Sequence, residues 1–117
     1  MKEAWIVVLL VAGVALAFGQ PDVQAKEKQL KEALFSLRTS IDEYTYDHSK
    51  APQSLTDLVR EHYLRSIPVD PMAGSRISWR LIMEDPSNTI NRDAPGIFDV
   101  RSASIKTSSG GTRYAEW

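Results

Sequence analysis

Side chains able to do chemistry are sparse in this chain, and their spacing limits what they could do. His48 and His62 are the two histidines, and neither has a carboxylate at metal-ligand spacing or sits in an H-E-x-x-H array, so both read as ordinary surface histidines. Asp42 and Glu43 are adjacent, which on a helix points them to different faces and removes them as a paired acid and base. The serines between Ser102 and Ser109 lie in no G-x-S-x-G elbow and read as part of a mobile loop. There are no cysteines, hence no disulfide, thiolate zinc site or cysteine nucleophile, and the compartment is left open. With a net charge of -1 and scattered Lys and Arg, the chain has no basic field for nucleic acid. The expectation is a protein that is not an enzyme, with no catalytic residues, no cofactor, no metal and no small-molecule substrate.

The elements that would position these groups follow from periodicity. At 117 residues, 43% apolar and 25% charged, one ordinary domain is expected. Val23, Leu30, Leu34, Leu37, Ile41 and Tyr44 recur at helical spacing and predict a long amphipathic helix from Asp22 to about Tyr46. Its other face carries Lys26, Lys28, Lys31, Glu32, Arg38 and Glu43, with Glu27 and Lys31 as an i,i+4 pair, and reads as solvated. After the turn residues 47–52, Ser54 and Asp57 form a capping-box pair that starts a short second helix bearing Leu55, Leu58 and Val59. Pro68 and Pro71 end it and predict a stretched connector at Ile67 and Asp70. Ile77, Trp79, Leu81 and Met83 alternate with polar residues, as do Phe98 and Val100, which predicts two strands with those residues on one buried face and Asp99 facing outward. Residues 84–96 make the long loop between them. Tyr114 and Trp117 are expected to be pinned to the body, and Trp79 to belong to the core.

The N-terminus supplies the strongest compositional signal. Residues 4–18, AWIVVLLVAGVALAF, are uninterruptedly apolar after Lys2 and Glu3. As a helix this run would reach roughly 22 Å, short of the ~30 Å hydrocarbon core. Ala15-Leu16-Ala17 fits a signal-peptide cleavage pattern, whereas Gly13 and its small neighbours suit a helix packed against copies of itself. Two readings stand: a signal peptide cut after Ala17, or a retained anchor. The chain divides into residues 1–20, an apolar segment, and residues 21–117, a globular domain that begins with the amphipathic helix.

The series LRTSIDEYTYDHSKAPQSLTDLV from Leu37, YLRSIPVDPMAGSRISW from Tyr63, GIFDVRSAS from Gly96 and the closing Tyr-Ala-Glu-Trp resembles the type II secretion major pseudopilins and their type IV pilin-like relatives over roughly residues 30–117. The resemblance implies an α+β, pilin-like fold: a long N-terminal helix packed on a small antiparallel sheet, with a short second helix. It implies a structural subunit of a secretion or pilus-related assembly, with copies of itself or other pilin-like subunits as partners. Residues 4–18 would sit in a bacterial inner membrane facing the periplasm if uncleaved, and the protein would be periplasmic or secreted if they are removed. Glu3 would stand in for the family's assembly glutamate and Pro21 for its helix-bending proline. The family's leader, its cleavage glycine and its threonine-leucine-isoleucine-glutamate start have no match here. Its calcium loop is also poorly matched, since Ser102, Ser104, Ile105 and Lys106 follow Asp99. The alternative is an exported, soluble pilin-like binding module that does not polymerise.

Overall fold

The computed structural model describes residues 22–89 and 94–117. The expectations for residues 1–20 and Pro21, Glu3 among them, lie outside the described residues. The architecture is α+β, in the order helix α1 (Asp22–His48), helix α2 (Leu55–Arg60), strand β1 (Arg80–Met83), strand β2 (Ile97–Arg101) and a closing 3-10 turn (Tyr114–Glu116).

Helix α1 is 27 residues long, and its heptad-like stripe is real only from Leu30 onward. Leu30, Leu34, Leu37, Ile41 and Tyr44 join Leu55, Leu58, Trp79, Ile97, Val100 and Tyr114 in one core. Val23, expected on this stripe, is 49% exposed. It belongs to the leading residues 22–26, all of them exposed, ahead of the buried stripe that begins at Leu30. Ser54 caps α2 as expected, its Oγ accepting from the Asp57 amide while the Asp57 carboxylate accepts from the Ser54 amide. The helix then stops at His62, whose φ of 67° is left-handed.

Strands β1 and β2 pair antiparallel, but the register breaks: Ile82 faces Asp99, and Met83 faces Ile97. Phe98 is therefore the extra residue of a β-bulge. This shift of phase buries both Ile97 and Val100 and turns Phe98 out to 68% exposure, against the expectation that Phe98 and Val100 share the buried face. On β1 the expected apolar face is corrected too. Trp79 is buried, but Ile77 is 94% exposed and Leu81 and Met83 are about half so. Helix α1 covers β2, leaving β1 as an uncovered margin.

Two loops do more than connect. Asp70 closes the connector and opens a turn, bridging back to Ser75 and accepting from the Gly74 amide through its carbonyl. Residues 102–111, expected to be mobile, bury Ser102, Ser104 and Ser108. The cause is a buried polar network. Asp70, with no exposed surface, accepts through Oδ2 from Ser102 Oγ at 2.7 Å and the Ala103 amide at 2.9 Å. Its Oδ1 accepts from the Met72 and Ala73 amides. One carboxylate thus ties the connector to the segment after β2, and every donor aimed at it is satisfied.

Candidate functional site

The residues expected to be chemically idle are placed as follows. His48 closes α1 rather than lying in a turn, its ring 4.0 Å from that of Tyr44. His62 is exposed at the end of α2. Asp42 and Glu43 are both exposed on α1. Asp99 does not face freely outward. It is half-buried, its Oδ1 2.8 Å from Arg38 Nε and its Oδ2 3.5 Å from Arg101 Nε. Among the described residues no group of three or more His, Cys, Asp or Glu could hold a metal ion.

Reading Arg38 and Glu27 as part of a solvated charged face is corrected by the fold. Arg38 donates to Asp99 and, through Nη2, to the carbonyls of Val100 and Trp117 at 3.0 Å each. Helix, sheet and C-terminal turn are joined by one guanidinium, whose planar fork suits several acceptors at once. Glu27 turns away from Lys31: its carboxylate accepts from the Ser109 amide and hydroxyl and from Tyr114 Oη at 2.7 Å. Those bonds, the Ser109 amide first, hold its pKa below the usual glutamate value, with Lys31 adding a smaller attraction. The Tyr114 hydroxyl is in turn pushed up, first by burial and then by Glu27. Trp117 is pinned as expected, its indole nitrogen donating to Thr112 Oγ1 and its ring receiving Lys31 Nζ at 4.9 Å. No sequence signal separated Glu27 and Arg38 from other surface charges; the C-terminal segment that engages them is far away in the chain.

What remains uncovered is a face of α1 and its margins. Phe35 is 73% exposed and Tyr46 87%. Phe35 and Trp117 flank an open groove of about 530 Å³, with Lys31 and Arg38 at its edges. Tyr46 and Phe98 flank a second, of about 440 Å³, edged by Asp42 and Glu84. Neither groove gathers the convergent polar or titrating groups that orient a small substrate. Both are surfaces of large apolar side chains with charges at the rim, which is the composition of a protein contact.

No protein family, curated protein or solved structure matches the chain. Among the described residues no helix is long and apolar enough to cross a membrane.

Proposed function

We propose that the chain is a structural, non-enzymatic subunit of the pseudopilin kind, acting in a type II secretion or type IV pilus-related assembly through packing of its N-terminal helix. One observation carries the reading. Glu27 apart, every residue of α1 from Asp22 to Gln29 is exposed, so the helix extends beyond the core that its later turns bury, toward the apolar run at residues 4–18. A helix whose leading turns are uncovered serves as a spine better than as a core element. The small antiparallel sheet under its second half and the pinned C-terminal turn support the pilin-like arrangement.

In this reading residues 4–18 stay in the bacterial inner membrane, the domain faces the periplasm, and copies of the chain or other pilin-like subunits are its partners. Glu3 and Pro21 would act in the assembly, at the membrane end of the spine. The test is intact-mass determination of the chain recovered from a bacterial membrane fraction, with electron microscopy of the same material. Retention of residues 4–18 with filaments is the expected result. Recovery as a soluble chain that begins at Phe18 would overturn it in favour of an exported module.

A further inference from the structure

The two-stranded sheet has one edge closed by the fold and one left open. On β2, the Ile97 amide donates to the Pro52 carbonyl at 2.7 Å and the Val100 carbonyl accepts from Arg38 Nη2, so both residues turn their backbone groups away from β1. Asp99 and Arg101, on either side of Val100, therefore turn theirs toward β1, where Ile82 and Arg80 stand opposite them. Glu84 faces β2 as well, its amide donating to the Gly96 carbonyl. By the alternation of an extended strand, Leu81 and Met83 send their amides and carbonyls to the other side, and among the described residues no further strand pairs there. Their side chains lie level with Val100 and Ile97 but beyond the cover of α1, and are 41% and 46% exposed. Such an edge is a template for another strand.

We propose that β1 pairs antiparallel with β1 of a second copy, about a two-fold axis between the two Ile82 residues, to give a closed dimer with one continuous sheet. The occupant is argued from the strand itself: Arg80-Leu81-Ile82-Met83-Glu84, set against its own reverse, is complementary at every position. Arg80 meets the partner's Glu84, Leu81 meets the partner's Met83, and Ile82 meets the partner's Ile82. This register also satisfies the backbone, because Leu81 and Met83 both point outward and each opposed pair of them exchanges two hydrogen bonds. Parallel pairing in register would set Arg80 on Arg80 and Glu84 on Glu84. Sliding the antiparallel register by one step in either direction that keeps the hydrogen bonds separates Arg80 from Glu84. The inference goes beyond the subunit reading and does not use the leading turns of α1. The axis is perpendicular to the sheet and is able to stand along a bilayer normal, so two anchored copies at one depth are able to form the pair, and so are two released ones. Anchored copies would then lay α1 along the membrane, a state of chains outside a filament.

The chain has no cysteine, so an introduced thiol reports cleanly. The experiment uses the full chain in membranes and in detergent, with copper phenanthroline as oxidant. The opposed Ile82 residues form a non-hydrogen-bonded pair with Cα atoms about 4.5 Å apart, within disulfide reach. Ile82→Cys should give a crosslinked dimer well above that of Ile105→Cys, an exposed residue away from the strand. Leu81→Cys and Met83→Cys should crosslink when mixed and much less alone. Leu81→Pro removes an outward amide that the domain does not use, so helix and strand content by circular dichroism should be kept while the Ile82→Cys dimer is lost. Arg80→Glu opposes acid to acid twice and should lower the dimer yield by at least about threefold, which carries the test if the proline variant does not fold. A folded Ile82→Cys chain with no more dimer than Ile105→Cys would overturn the proposal, as would a dimer that survives both Leu81→Pro and Arg80→Glu. Filaments from a chain that never gives the dimer would sink the edge pairing alone; a dimer of a chain that begins at Phe18 would sink the subunit reading alone.

Discussion

Replacing Asp70 by alanine should unfold a large part of this domain's margin of stability. The carboxylate is fully buried and accepts four hydrogen bonds, from Ser102 Oγ, the Ala103 amide and the Met72 and Ala73 amides. Ala73 lies on an exposed turn and Met72 is half-buried, so water can replace the acceptor there. Ser102 cannot be rescued in this way, since none of its surface is exposed, and Ala103 beside it is only partly so. Two orphaned donors at about 1–3 kcal/mol each put the cost at roughly 2–6 kcal/mol, against about 5–15 kcal/mol for the whole of a typical domain. Asp70→Asn should cost less but not nothing, because its amide group would face the Ala103 N–H donor that the native Oδ2 accepts. Ser102→Ala removes one donor to Asp70 and also the acceptor of the Ser104 amide, and should cost about 1–3 kcal/mol. In the variant carrying both Asp70→Ala and Ser102→Ala, the loss should be smaller than the sum, since the orphaned hydroxyl is gone. Urea unfolding followed by far-ultraviolet circular dichroism measures all four. An Asp70→Ala cost below about 0.5 kcal/mol, the range of an uninvolved surface change, would refute the network.

Other outcomes follow from the same packing. Leu37 has no exposed surface in the core, so Leu37→Ala should cost about 2–5 kcal/mol by the same unfolding measurement. Gly96→Ala should also destabilise, by about 1–3 kcal/mol or more, because a Cβ there would lie 2.6 Å from the Ala51 carbonyl oxygen, and backbone has to move to make room. The Glu27 pKa is lower in the folded state than in the unfolded chain, so its contribution is present at neutral pH and is lost as pH falls below about 4.3 through the lowered value. Glu27→Gln should therefore flatten the acid limb of a stability-versus-pH curve. The Tyr63 phenol is pushed up to about 12, first by its hydrogen bond to Asp47. Its contribution is complete below the ordinary tyrosine value near 10 and declines as pH rises from there toward the folded value. Burial pushes Tyr44 and Tyr114 up as well, so a near-ultraviolet titration should show several late phenols, of which one moves toward ordinary pH in Asp47→Asn and disappears in Tyr63→Phe.

Local signals in the sequence determined the elements. Helix α1, the capping box at Ser54 and Asp57, and two strands joined by a long loop all depend on neighbours within a few residues, whereas α2 ends at Arg60 and the left-handed His62, well before the two prolines expected to end it. Periods and caps encode such neighbours directly. The core membership of Leu34, Leu37, Ile41 and Trp79 was legible for the same reason, as was the pinning of Tyr114 and Trp117. Only the tertiary structure decided which polar groups matter. Asp70 and Ser102 are 32 residues apart, Arg38 and Asp99 are 61 apart, and Glu27 and Tyr114 are 87 apart. Each looks in the sequence like any other loop or surface residue. The bulge at Phe98 is equally invisible, because one unpaired residue in β2 is chosen by its pairing with β1, and it puts Ile97 in the core in place of Phe98 while Val100 stays buried. The exposed face of α1 lies between these cases: Phe35 and Tyr46 stand in the sequence for anyone to see, but the grooves beside them are built by Trp117 and Phe98, which only folding brings there.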